Sequence, residues 1–119
     1  MIVHVREENG VAVYRIEGRI DNDGAVQLDA ALREGLNAGK YRMVVEMAQV
    51  PYINSAALRA LADITSQNRE HGGDLKLAAL SPQVRRVLQI VGFDQFAAVY
   101  ETAEEAVAAF GMGPDAASE

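Results

Sequence analysis

Residues 50–61 read VPYINSAALRAL. An apolar, β-prone run over residues 41–50 ends here and a helical pattern begins, with Asn54 and Ser55 at the junction. A helix opens with unpaired backbone N–H groups and the positive end of its dipole. Asn and Ser both satisfy such donors as N-caps. A phosphate carried on a serine at that point is favoured by the same donors and the same dipole. Ser55 is therefore a candidate both for a helix cap and for a modification switch, and the junction by itself leaves the two readings open.

Outward from this junction the chain alternates between short strands and helices. Before it, residues 2–6 and 11–17 are β-branched, alternating runs separated by Glu7-Glu8-Asn9-Gly10, and the Asn-Gly pair is a strong hairpin signal. The polar stretch 19–24 follows Gly18, and Ala25, Leu28, Leu32 and Leu36 then recur at helical spacing until Asn37-Ala38-Gly39. Residues 41–50, with Glu46 inside the run, are expected to be the central buried strand. After Ser55 a helix carries Leu58, Leu61, Ala62 and Thr65 on one face and stops at His71-Gly72-Gly73. A strand over residues 75–80 leads to Ser81-Pro82, a cap followed by proline at the first helical position. That helix is expected to bury Val84, Val87, Leu88 and Val91 before Gly92. Residues 96–100 suit a short last strand. Thr102 and Glu105 form a capping box for a final helix with Ala106, Val107 and Phe110 as its apolar stripe. Residues 1–111 are thus expected to form one domain and residues 112–119 a frayed, flexible tail. The order predicts an α/β chain with a mixed sheet of about four to five strands and helices packed mainly on one face.

Composition narrows the function. A chain of 119 residues, half of them hydrophobic, is long enough for one real core, which must be built from Val, Ile, Leu and Ala because tryptophan is absent and aromatics are sparse. No cysteine is present, so disulfides and thiolate metal sites are excluded. The start MIVHVREENG has no basic leader followed by an apolar run, and no apolar stretch approaches the roughly 20 residues that span a bilayer, so a cytoplasmic protein without membrane insertion is expected. A formal charge of −6 disfavours direct nucleic-acid binding, which relies on Lys and Arg to neutralise phosphates, and favours a protein partner. An enzyme is not expected. Ser55 lacks the glycines of a nucleophile elbow, and His4 and His71, placed in an edge strand and a turn, are read as solvent-facing without metal-ligand spacing. Gly72-Gly73 is too short for a phosphate loop, Arg85-Arg86 reads as a solvated helix face, and Ser81 as a cap. No cofactor is implied.

Three elements, in order, resemble a known family. Gly18-Arg19-Ile20-Asp21 matches a GxxD element after the second strand, Asn54-Ser55-Ala56-Ala57-Leu58 matches a D-S-S-G-L helix start, and Leu80-Ser81-Pro82-Gln83-Val84 matches an L-S-P-x-V element. The chain resembles, over nearly its whole length, a STAS domain of the bacterial anti-sigma factor antagonist type. The resemblance implies an interaction module whose unphosphorylated form binds an anti-sigma factor that is also a serine kinase of the GHKL ATPase type, releasing a sigma factor. It implies phosphorylation at Ser55, which matches the family's phosphorylated serine, and dephosphorylation by a metal-dependent serine phosphatase. It also implies a partner-binding surface formed by Asp21, Asn22 and Asp23 together with Asn54, Ala56, Ala57 and Leu58. A second reading is a STAS module in a ligand-sensing or lipid-transport complex, with Ser55 structural.

The departures from the pattern are local. Asn54 stands where the family has an acidic residue, which removes a charge beside the serine while keeping an equally good cap. Ala57 replaces glycine, favouring the helix by roughly 0.8 to 1.0 kcal/mol and placing a methyl where a partner is expected to approach. Arg59, which the resemblance does not supply, lies one turn beyond Ser55. Helical side chains lean toward the N-terminus, so Arg59 joins the expected contact surface with its guanidinium in reach of a phosphate on Ser55.

Overall fold

A computed structural model describes residues 1–111. The tail expected over residues 112–119 lies outside the described residues.

Two strands, β1 (Ile2–Glu8) and β2 (Val11–Glu17), form the expected antiparallel hairpin, and its turn places Asn9 and Gly10 at φ 51° and 79°. Such left-handed pairs are what Asn-Gly accommodates at low cost. Three crossovers then build the rest of the sheet: α1 (Asn22–Asn37), β3 (Arg42–Gln49), α2 (Ser55–Glu70), β4 (Asp74–Ala78), α3 (Pro82–Val91) and β5 (Val99–Tyr100). The strand order is β1-β2-β3-β4-β5, with every pair after the hairpin parallel. A last helix, α4 (Ala103–Gly111), follows. This is a five-stranded mixed α/β sheet with β3 at its centre.

The alternation of β3 explains the layering. Met43, Val45 and Met47 point into the main core with Leu28, Leu32, Leu61, Ile64, Leu77 and Leu88 of the other elements, while Val44 points to the opposite face. On that second face, among the described residues, α4 packs through Ala103, Ala106, Val107 and Phe110 against Val11, Val13 and Ala78. A central strand flanked by parallel neighbours and covered on both sides reads as a continuous apolar run, which is why residues 41–50 stood out.

Several details differ from the expectation: the first strand runs on to Glu8 instead of ending at residue 6, and α1 starts at Asn22, within the stretch read as a loop. The fourth strand ends at Ala78 instead of residue 80 because Ala79 turns to φ 50°. The fifth is two residues long, since a 3-10 turn at Phe93–Gln95 and a helical Phe96 keep the chain coiled where an extended run was expected. Val91, expected in the core, is 57% exposed. It sits in the last turn of α3, where the helix axis has carried it past the sheet, and Phe93 enters the core instead.

Candidate functional site

Two strand-to-helix junctions lie side by side. Beyond the ends of β2 and β3 the two chains remain hydrogen-bonded: Gly18 N–H donates to Gln49 O (2.9 Å), Ile20 N–H to Tyr52 O (2.8 Å) and Asn54 N–H to Ile20 O (3.2 Å). Ile20 and Ile53 form a parallel bridge, and both are buried. The residue after each isoleucine is a helix N-cap. Asp21 Oδ1 accepts from Gly24 N–H and Asn54 Oδ1 from Ala57 N–H, each at 2.9 Å. The bridge therefore sets α1 and α2 off in register from one edge of the molecule.

The caps are joined directly. Asn54 Nδ2 donates to Asn22 Oδ1 at 2.9 Å, so one asparagine both closes the first turn of α2 and ties it to the first residue of α1. The junction brings Asp21, Asn22, Asn54 and Ser55 together, with Asp23 on the first turn of α1.

The alternative left open for Ser55 is now resolved on the capping side. Asn54 is the cap; Ser55 is the first residue of the helix, exposed, and its hydroxyl makes no hydrogen bond among the described residues. The remaining contact candidates separate by burial. Asp21, Asn22, Asp23 and Arg59 are exposed, while Asn54, Ala56 and Leu58 are half-buried, the latter two packed against the core. Ala57 is a correction. Its methyl, expected on the contact surface, is fully buried in the main core, because the position three residues after the cap turns inward beneath the sheet edge.

Arg59 forms no hydrogen bond or ion pair among the described residues. It lines a groove between α1 and α2 with Asn22, Val26, Ala56, Asp29 and Asp63. Both of those carboxylates are held by another cation: Arg33 Nη2 lies 3.0 Å from Asp29 and 2.8 Å from Asp63, clamping the two helices. The paired acids raise the Arg33 pKa further, and Arg33 in turn holds the Asp63 carboxyl below the usual carboxylate range. The Asp29–Arg33 spacing of four is legible in the sequence; the reach to Asp63 is not. Also illegible was Arg19, whose guanidinium stacks 4.6 Å over the ring of Tyr52 beside the junction, fixing an exposed aromatic next to Ser55.

Two elements noted in the sequence lie elsewhere. Ser81 caps α3 and also donates to Val50 O at 2.6 Å, anchoring the start of the 50–61 segment. His71 stacks on Tyr41 with ring centroids 4.2 Å apart, and His4 meets Glu17 at 2.5 Å. Among the described residues no group of His, Cys, Asp or Glu is arranged to hold a metal ion, and no helix is long and apolar enough to cross a membrane.

The sheet thus brings two capped helix starts together beyond the C-terminal ends of its inner strands β2 and β3, and the model of the STAS domain family matches residues 3–106. The chain belongs to the STAS domain family. Its relatives narrow this to the antagonist branch: it is 34% identical to BtrV of Bordetella bronchiseptica, assigned as an anti-sigma factor antagonist, over 86% of this chain and 88% of that one. It is 29% identical to the anti-sigma-F factor antagonist RsfB of Mycobacterium tuberculosis, over 88% and 85% of the respective chains. The crystal structure of an anti-sigma factor antagonist from Mycobacterium paratuberculosis superposes with a TM-score of 0.82 at 25% identity, covering 91% of this chain and 92% of that one. The fold is also that of SpoIIAA from Bacillus in its phosphorylated form, with a TM-score of 0.71 at 18% identity, over 92% and 99%. A sulfate transporter of Bacillus subtilis, YvdB, matches at 26% identity over 73% of this chain but only 16% of its own length. The relatives matched over most of their own length are thus regulators named as anti-sigma factor antagonists.

Proposed function

We propose that this protein is a phosphorylation-switched anti-sigma factor antagonist. In its unmodified form it binds an anti-sigma factor serine kinase of the GHKL ATPase type, and the sigma factor is released. The kinase then modifies Ser55: the serine Oγ bonds to the γ-phosphorus of ATP, the bond to the ADP oxygen breaks, and the hydroxyl proton passes to a base on the kinase. A metal-dependent serine phosphatase returns the hydroxyl by hydrolysis. All of this takes place in the cytoplasm, without direct contact with nucleic acid.

The observation that carries this reading is the division of labour at the junction. Asn54 supplies the cap, so the hydroxyl of Ser55 is exposed and engaged in nothing else. A phosphate there adds about −1.5 to −2 charge. The start of a 16-residue helix accommodates it in the free protein. Within a protein contact the same charge must lose its water, and it would also face Asp21 and Asp23, both exposed beside it. Phosphorylation thus favours the dissociated state. The partner's footprint comprises Asp21, Asn22, Asp23, Ala56, Arg59 and the edges of Asn54 and Leu58.

The experiment is to incubate the protein with a purified anti-sigma factor serine kinase of the GHKL type and ATP, and to weigh the intact chain. One added phosphoryl group on wild type, absent from Ser55→Ala, is expected. A kinase that hydrolyses ATP yet leaves the chain unmodified would favour the second reading, a STAS module within a ligand-sensing or transport complex, which the match to a segment of a sulfate transporter keeps in view.

A further inference from the structure

We infer that Arg59 is the intramolecular partner of a phosphate on Ser55, leaving the groove between α1 and α2 to pair with it when the serine is modified. This rests on the reading of Ser55 as the modified residue and adds a regulatory part to it.

The groove contains the argument. Of the two arginines near it, Arg33 is consumed, with one guanidinium nitrogen bridging Asp29 and Asp63. Those are the acids that line the groove with Arg59, and Arg59 is an exposed cation with no hydrogen bond or ion pair among the described residues. Arg19, the other cation near the junction, is stacked on Tyr52. Arg59 stands four residues after Ser55 within the continuous helix Ser55–Glu70, the spacing at which helical side chains become neighbours. Its own lean is toward the N-terminus, and the groove it lines runs to Asn22, which is bonded to the cap of α2.

The charges facing the phosphate are of both signs. Asp21 and Asp23 oppose it from the start of α1, though Asp21 is engaged with Gly24 N–H; Asp29 and Asp63 share the single positive charge of Arg33 and keep one excess negative charge; the α2 start and Arg59 favour it. Against two carboxylates a planar guanidinium with paired donors is the strongest available counterweight. The pairing has a second effect. In the unmodified protein Arg59 is an exposed cation on the groove, and in the modified protein that cation is drawn to the phosphate, so one phosphate alters both the junction and the groove.

The test uses full-length protein with phosphoserine installed at position 55 during translation, independent of any kinase. The second ionisation of the phosphate is followed by its phosphorus NMR shift at low salt in wild type, Arg59→Gln and Arg59→Lys. A neighbouring cation favours the dianion, so the wild-type pKa is expected to lie below that of Arg59→Gln by about half a unit, with Arg59→Lys between them. Equal values in wild type and Arg59→Gln would overturn the inference. Arg59 is exposed and unpaired, so both variants are expected to fold as wild type does, which circular dichroism checks. Failure here removes only the role of Arg59, whereas failure of the kinase experiment with Ser55 intact removes the reading of Ser55 itself.

Discussion

Asn54 and Asn22 stand 32 residues apart and meet in a single 2.9 Å hydrogen bond that ties the start of α2 to the start of α1. Because the same Asn54 side chain caps Ala57 N–H, its truncation removes two bonds at once. Asn54→Ala is expected to lose about 1 to 2 kcal/mol in urea unfolding. Asn54→Asp keeps the capping oxygen but gives up the Nδ2 donor to Asn22, whose amide must turn to donate instead, so a loss smaller than that of Asn54→Ala is expected. It also adds a carboxylate beside Asp21 and Asp23, so phosphorylation of Ser55 in that variant is expected to be slower.

Gly35 is the place on α1 where the hydroxyl of buried Tyr14 reaches the helix backbone; a Cβ there would overlap the Tyr14 oxygen and press on Met43 Cε at 3.2 Å. Gly35→Ala should gain about 1 kcal/mol of helix propensity. Overpacking is expected to outweigh this, giving a net loss of about 1 to 2 kcal/mol. The Tyr14 hydroxyl has no hydrogen-bond partner among the described residues, so Tyr14→Phe alone is expected to change stability little. The double variant Tyr14→Phe/Gly35→Ala should recover most of the loss, and a thermodynamic cycle from urea titrations measures this coupling.

Ser81 links the start of α3 to the end of the central strand. Ser81→Ala removes the cap on Val84 N–H and leaves the carbonyl of fully buried Val50 without its 2.6 Å donor. A loss of about 2 to 3 kcal/mol is expected, more than a cap alone accounts for. Ser81→Thr, which retains the oxygen, should keep most of it.

The Arg33 clamp makes a small, pH-dependent contribution. Asp63 titrates below its ordinary value in the folded protein, chiefly through its hydrogen bond from Arg33 and then one from Gln67. A depressed carboxyl stabilises the fold above its unfolded pKa and ceases to do so as pH falls through the folded one. Arg33→Gln should therefore raise the Asp63 pKa toward normal in a carbon-13 carboxyl titration. The cost of that variant, a few tenths of a kcal/mol for so exposed a pair, should be present at neutral pH and disappear as pH falls through the depressed pKa of Asp63.

What the sequence determined is whatever is written within about a turn of helix or a hairpin. The Asn-Gly turn, the caps at Ser81 and Thr102, the helix stop at Gly72 and the apolar run of the central strand are local, and each appears where its residues demand. The junction at Ser55 was legible for the same reason, down to the choice between Asn54 and Ser55 as cap, which the chain alone left open. Tertiary structure decided that choice, because Asn54 is held in place by the Ile20–Ile53 bridge and by Asn22, both far away in sequence. It decided that Ala57 turns inward, that Val91 is exposed, and that α4 covers the second face. It also decided that Arg33 reaches across to Asp63, while Arg59 has no ion pair among the described residues. Each of these depends on the register between strands and on which helix lies alongside which. That register is set by burial summed over the whole sheet, and no short stretch of chain contains it.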